Sequence, residues 1–375
     1  MRHSRLFRSA APVLVTGFLA ATVACAPPAP PPPTGCTTSD LGISGGAPML
    51  GLSDADLTRE LDTMWNTGIR WLRFDVDWSV VEATRGQQNW SAIDRLVDRA
   101  RARGLNLLGI VTYTPAWARV AGTSDSHGRP ADPATFATFA KQAAERYNGK
   151  VATWEIWNEP NLVNFFRPAP NADAYVQLLS AAAQAIRSVQ PGAMILNGGL
   201  APAVDDGTNI APTTYVQQLY QRGAQQYFDA LSVHPYSWPA LPSDASTQSW
   251  NTFYRMRFMR DTMVQYGDSA TEIWATEFGA PTGRASDAVS AQRQADIIRD
   301  GIAEARRLGY VDKVFVYTLR NHGTNLSDRE QNFGLLEYNF TAKPSLAVVQ
   351  SAATACTGVS DTLDSESPTP PPVAS

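Results

Sequence analysis

Short apolar runs suited to β-strands alternate with longer amphipathic stretches over most of this chain, and that alternation limits the available folds more than any other feature. The strand-like runs are Leu41–Ser44, Gly68–Asp75, Leu105–Thr112, Val151–Trp157, Ala193–Asn197, Ala230–His234, Glu272–Thr276 and Val314–Thr318. The helical stretches between them are Asp54–Asn66, Ser91–Arg103, Pro133–Tyr147, Ala172–Val189, Thr213–Gln225, Ser249–Tyr266 and Ala291–Arg307. Several open on a capping residue or a proline, as helix N-termini do. Strands joined through a helix run parallel, so the pattern specifies an α/β fold.

A doubly wound open sheet and a closed eight-stranded barrel both satisfy this pattern. An open sheet of the nucleotide-binding kind carries a glycine-rich phosphate loop after an early strand, and the chain has neither G-x-G-x-x-G nor G-x-x-x-x-G-K-S/T. In a barrel, chemistry gathers on the loops at the carboxyl ends of the strands. Polar and aromatic residues cluster there: Asp75-Val-Asp-Trp78, Tyr113-Thr-Pro-Ala-Trp117, Asn158-Glu159, His234-Pro-Tyr236 and Glu277. A single (β/α)8 TIM barrel is therefore expected.

The barrel is expected to occupy residues 36–356. Ahead of it, Arg2, Arg5 and Arg8 precede an apolar run from about Ala10 to Ala24 that is too short to span a bilayer, so residues 1–24 read as an export signal. The signal ends in Thr22-Val-Ala-Cys25, which resembles the lipobox of bacterial lipoproteins, where the cysteine becomes the acylated first residue. Ordinary cleavage after a small residue is the alternative. Residues 25–35 then form a stiff proline-rich spacer, and residues 357–375 a Pro/Ser-rich tail with one leucine to bury, expected to be disordered. These segments place the protein at the outer face of a bacterial cytoplasmic membrane or envelope, attached only through lipid on Cys25, or in the medium if the signal is simply cleaved. Cys36 and Cys356 stand at opposite ends of the barrel in a compartment where disulfides persist. A bond between them is expected, with two free thiols as the alternative.

Lys and Arg number 31 against 35 Asp and Glu, a net charge of −4 that gives no electrostatic footprint for nucleic acid. The histidines are His3, His127, His234 and His322, with no H-x-H or H-E-x-x-H spacing and no G-x-S-x-G elbow in the chain. Neither a metal-dependent nor a serine hydrolase is expected, and no cofactor is required. The 10 Trp and 12 Tyr offer flat faces that pack on sugar rings as readily as in a core.

Glu159 closes the fourth strand after Trp157-Asn158, and Glu277 closes the seventh after Trp274-Ala-Thr276, so both would open onto one face of a barrel. Cleaving an acetal needs a protonated carboxyl to donate to the leaving oxygen and an ionised one to meet the cationic anomeric carbon. Two glutamates on separate rigid strands can supply that pair.

Trp154-Glu-Ile-Trp-Asn-Glu-Pro-Asn161, Val233-His-Pro-Tyr236 and Trp274-Ala-Thr-Glu-Phe-Gly279 resemble the fourth-, sixth- and seventh-strand motifs of the retaining β-glycosidase barrels that include families 5, 10 and 39. Gly86-Gln-Gln-Asn-Trp90, Ile93-Asp94 and Thr114-Pro-Ala-Trp117 are also similar to family 39 and its exopolysaccharide-cleaving relatives. One departure is Tyr317-Thr-Leu-Arg320, where many members have a Trp at the end of the eighth strand. The resemblance implies that Glu159 is the general acid/base and Glu277 the nucleophile. It implies that Asn158 bonds the sugar 2-hydroxyl, that Tyr236 holds the nucleophile and that His234 lines the same pocket.

Strand alternation adds Arg73 as an inward donor and puts Glu155 in register with Trp157 and Glu159, where pairing with a buried arginine is its expected role. Asp75 and Asp77 could hold a sugar hydroxyl or cap the following turn. Trp78, Trp117 and Trp238 are candidate sugar platforms beside Tyr113, with core packing as the other reading. The expected function is retaining hydrolysis of a β-linked polysaccharide or oligosaccharide by a monomer whose only partner is its carbohydrate substrate. The alternatives are an inactive cell-surface glycan-binding barrel and a wall transglycosylase.

Overall fold

The computed structural model describes residues 40–354. The export signal, Cys25, the proline spacer, Cys36, Cys356 and the tail lie outside the described residues. Eight parallel strands close into a barrel in chain order: β1 (Leu41–Ser44), β2 (Trp71–Asp77), β3 (Asn106–Thr112), β4 (Thr153–Asn158), β5 (Met194–Gly199), β6 (Ala230–Val233), β7 (Glu272–Phe278) and β8 (Val311–Tyr317). Around them lie α1 (Asp54–Thr67), α2 (Trp78–Val81), α3 (Ser91–Ala102), α4 (Pro133–Arg146), α5 (Ala172–Arg187), α6 (Pro212–Gln221), α7 (Thr252–Gln265), α8 (Ala291–Leu308) and α9 (Pro344–Thr354). The expected fold class is the observed one.

The helix starts follow from capping chemistry. Ser53, Asp132, Asn171, Asn251 and Ser290 each turn a side-chain oxygen onto a first-turn backbone N–H of the helix they precede. Asn251 also explains why α7 begins at Thr252 and not at Ser249.

Strand limits moved for equally local reasons. Gly68 is the left-handed C-cap of α1 (φ 90°), so the run expected from Gly68 begins as a strand only at Trp71. β8 starts three residues earlier than expected, through the charged pair Asp312-Lys313. The Lys313 ammonium donates to Asp312 Oδ2 at 2.6 Å and lies 5.9 Å and 5.3 Å from the ring centroids of Trp71 and Trp274, contacts that together accommodate its charge at the base of the barrel. α9, which follows a long loop after β8, was not anticipated.

Inside the barrel the lower layer is apolar: Leu108, Leu196, Ala230, Trp274 and Phe315, with Trp71 packed against them. The layer above is polar and buried, with Arg73, Glu155, Ser232 and Thr276. A second apolar shell between strands and helices includes Leu57, Phe136, Tyr175, Leu179, Tyr215 and Ile297. The polar layer therefore stands on a rigid floor and opens only toward the carboxyl ends of the strands.

Candidate active site

Arg73, the third residue of β2, organises the centre. Its Nε donates to Glu155 Oε2 at 2.7 Å, Nη1 to Glu277 Oε1 at 2.6 Å and to Ser44 Oγ at 3.0 Å, and Nη2 to Asn158 Oδ1 at 3.1 Å. One guanidinium thus ties β1, β2, β4 and β7 together. Glu155 is fully buried and carries the structural pairing that its strand parity suggested. Its Oε1 also accepts from Gly199 N at 2.8 Å and Ser232 Oγ at 3.3 Å.

Strict alternation fails at the end of β4. Trp157 and Glu159 both adopt positive φ, 75° and 48°, and so does Tyr113 at the end of β3, at 61°. Such non-glycine conformations cost on the order of 1–3 kcal/mol each and persist where the surroundings impose them. Here they turn Trp157 away from the barrel interior onto Phe136 and Phe166, and bring Asn158 and Glu159 inward instead. The expected shared parity of Glu155, Trp157 and Glu159 is corrected accordingly. Gly199 on β5 completes the arrangement, since a Cβ there would collide with the His234 ring.

His234 is fully buried beneath the two glutamates rather than lining the open pocket. Its Nδ1 is 2.8 Å from Glu159 Oε1 and 3.6 Å from Glu277 Oε2. Nε2 lies 3.5 Å from Arg73 Nη2. Burial lowers the imidazole's pKa, but the Glu277 and Glu159 carboxylates outweigh it and raise it, which favours a proton on Nδ1 toward Glu159. Tyr236 donates from its hydroxyl to Glu277 Oε2 at 3.0 Å, the contact that the motif resemblance implied.

The two glutamates differ in what surrounds them. Burial pushes the Glu159 carboxyl above the usual range, and the His234 hydrogen bond offsets this only in part. Burial also acts on Glu277, but His234, Arg73 and the Tyr236 and Arg73 hydrogen bonds outweigh it and hold Glu277 below the usual range. The site therefore biases Glu159 toward the protonated form and Glu277 toward the ionised form.

Glu159, His234 and Glu277 also offer three ligand atoms that all lie within 4.8 Å of one another, a spacing open to a metal ion. Their donor atoms are already spent on each other, and the Arg73 cation occupies the Glu277 side, so the set suits proton chemistry better than coordination.

Arg73, Asn158, Glu159 and Glu277 line a cavity of about 680 Å³ with Asp75, Thr112, Tyr113, Leu162, Phe165, Tyr236, Trp238, Tyr317, Arg329, Glu330 and Phe333. Tyr113 and Trp238 thus reach the cavity as expected, and Tyr317 stands at the position of the departure noted in the eighth strand. Trp78 and Trp117 do not join them. Trp78 is 1% exposed, stacked on Phe139 at 5.6 Å, with its indole N–H on Glu82, so it belongs to the core. Trp117 packs edge-on against Trp78 and donates to the Glu82 carbonyl at 2.9 Å, outside the cavity lining. Trp78→Ala is expected to cost about 3–5 kcal/mol of stability in denaturant titration, with the KM of the folded enzyme unchanged.

Sequence reading missed the long loop after β8, which brings Arg329, Glu330 and Phe333 to the rim. Phe333 packs on Tyr236, Trp238 and Tyr317. The loop has no periodicity, and only its isolated aromatic could have been noticed.

Residues 51–311 match the family model described as cellulase, glycosyl hydrolase family 5. A β-xylosidase from Geobacillus stearothermophilus is 38% identical over 96 residues, 25% of this chain and 18% of that protein. A family 39 glycoside hydrolase from the gut symbiont Bacteroides cellulosilyticus WH2 superposes with a TM-score of 0.68 at 22% identity, covering 84% of this chain and 63% of the other. A monomeric β-xylosidase from Caulobacter crescentus CB15 superposes with a TM-score of 0.65 at 20% identity, over 84% and 67% of the two chains. The match to the first xylosidase and the superposition on the family 39 enzyme each span less than two thirds of the relative's own length.

Proposed function

Because the chain belongs to glycosyl hydrolase family 5, we propose that it hydrolyses a β-linked glycan with retention, by double displacement between Glu159 and Glu277. What carries this reading is the contrasting surroundings of two adjacent carboxyls: burial biases Glu159 toward the protonated form, while His234, Arg73 and Tyr236 bias Glu277 toward the ionised form. One oxygen of each lies within 4.8 Å of an oxygen of the other, so a single anomeric centre can meet both carboxyls, as the retaining mechanism requires.

In the first step Glu277 attacks the anomeric carbon while Glu159 gives its proton to the departing glycosidic oxygen, leaving a glycosyl ester on Glu277. In the second step Glu159, now ionised, takes a proton from water as that water attacks the ester carbon and releases Glu277. Arg73 and Tyr236 stabilise the nucleophile's charge in the resting state and on its release. Asn158 has its oxygen committed to Arg73, so its amide N–H groups remain to donate to the 2-hydroxyl. His234 holds one Glu159 oxygen and leaves the other to carry the transferred proton.

The kcat/KM profile against pH should be bell-shaped. The acid limb reports protonation of Glu277 and the alkaline limb loss of the Glu159 proton, so Glu159→Gln should remove the alkaline limb. Glu159→Ala should lower turnover of substrates with poor leaving groups by about 10²–10⁴-fold and spare aryl glycosides with good ones. Equal losses on both would remove Glu159 from the acid/base role.

We also propose that the substrate is a glycan at the producing cell's own surface. The sequence supports this through the lipobox-like Cys25 and the proline-rich stretch from Ala26 to Gly35 that follows it. Cys25→Ala should move the protein from the membrane fraction to the medium with unchanged specific activity. Unaltered protein found free in the medium would end the anchoring proposal.

A further inference from the structure

Asp75 and Asp77 have the same side-chain chemistry and lie two residues apart on β2, but they are used differently. Asp77 caps α2, accepting from Ser79 N at 2.8 Å and from Ser79 Oγ at 2.6 Å. Asp75 lines the cavity, and among the described residues no hydrogen bond or ion pair reaches its carboxylate. Its nearest cation, Arg73, has its donors on Glu155, Glu277, Asn158 and Ser44.

A second polar group on the same wall is also without a partner. Thr112, on β3, is 1% exposed and lines the cavity, and its hydroxyl has no hydrogen-bond partner within the described residues. Buried polar groups normally find partners, so an orphan on a cavity wall marks a place for a ligand atom. The wall is thus an acceptor carboxylate on β2 and, on neighbouring β3 in register with Asp77, a hydroxyl that can both donate and accept.

The charges around it limit what the ligand can be. Arg73 and Arg329 are the basic residues in the lining among the described residues, and each is already paired with carboxylates: Arg73 with Glu155 and Glu277, Arg329 with Asp287 and Glu330. No cation is left to receive a sugar carboxylate, whereas Asp75 would repel one.

We propose that Asp75 is a substrate-binding residue that accepts hydrogen bonds from two neighbouring hydroxyls of a sugar ring, with Thr112 on the neighbouring strand, and that it selects neutral glycans against uronic acids. The proposal rests on reading the cavity as a glycosidase site. A carboxylate's two oxygens match the spacing of a vicinal diol, and bonds to a charged acceptor are the stronger kind. Burial, with Asp77, Glu277 and Glu155 nearby, pushes the Asp75 carboxyl up to about 7 against the pull of Arg73. Hydroxyl donors would relieve that cost on binding.

The test uses the full chain and substrates that cannot turn over. Dissociation constants are measured by calorimetry for the 4-nitrophenyl 1-thio-β-glycosides of glucose, galactose, mannose, xylose and glucuronic acid, with the unaltered protein, Asp75→Asn and Asp75→Ala. The tightest neutral probe should weaken roughly tenfold to a hundredfold in both variants. The glucuronide should bind the unaltered protein more weakly than any neutral probe that binds, and should gain affinity in Asp75→Asn. Melting temperature separates a binding role from a structural one: loss of an unpaired carboxylate should leave Tm unchanged or higher. Affinity unchanged in Asp75→Asn, tightest binding of the glucuronide, or a fall in Tm without loss of affinity would each overturn the proposal. Turnover of the oxygen-linked counterparts reads the catalytic roles of Glu159 and Glu277 separately, because probe binding does not require either step of the reaction.

Discussion

Glu277→Gln is expected to lower kcat by about 10⁴–10⁶-fold on every substrate, activated or not, in the range seen when a covalent catalyst's central group is removed. Glutamine has the same shape, and its carbonyl oxygen can still accept from Arg73 or Tyr236, which reach Glu277 at 2.6 Å and 3.0 Å. What it lacks is a second anionic oxygen to form the ester. Unlike the Glu159→Ala effect, the loss should not depend on the leaving group, because no leaving group compensates for a missing nucleophile. Steady-state kinetics on a dinitrophenyl glycoside and on an oligosaccharide make the comparison. Residual activity within tenfold of the parent would assign the nucleophile elsewhere.

Arg73→Met should lower stability by about 3–5 kcal/mol, because it leaves Glu155 and Glu277 in the interior without their cation. The effect should depend on pH in a definite direction. Glu277 is held below the usual carboxylate range in the folded protein, so its contribution is present above its unfolded pKa and is lost as pH falls through its folded value. The stability difference between parent and variant should therefore be greatest near neutral pH and shrink toward acid. In the same variant the acid limb of the activity profile should move to higher pH, since Glu277 loses a neighbour that keeps it ionised. Urea titrations at neutral and acidic pH measure the first effect. A difference that grows toward acid would contradict the pairing.

Much of this was legible before any coordinates, for identifiable reasons. The strand and helix order could be read because both periodicities are strong and the helices carry their own caps. The catalytic candidates could be read because each sits at a strand end beside a recognisable motif. Trp78 could not be assigned from sequence, since an indole at a strand end looks the same whether it faces a cavity or, as here, stacks on Phe139 in the core. The inward turn of Asn158 was hidden because it depends on Trp157 leaving strand alternation through a left-handed backbone. The difference between Asp75 and Asp77 was equally hidden, since only the path of the chain after β2 decides which of them meets Ser79. The β8–α9 loop is held by a buried network in which Lys343 Nζ donates to Thr282 and Asn321, contacts between segments distant in sequence.

The central claim is that Glu277 becomes covalently glycosylated, and trapping that ester tests it most directly. The full chain is incubated with an activated 2-deoxy-2-fluoro β-glycoside of whichever neutral sugar it turns over, then digested and read by mass spectrometry. The expected result is one added glycosyl mass on the peptide that contains Glu277, with none on Glu159. A glycosyl mass on Glu159, or inactivation with the mass on any other residue, would contradict it.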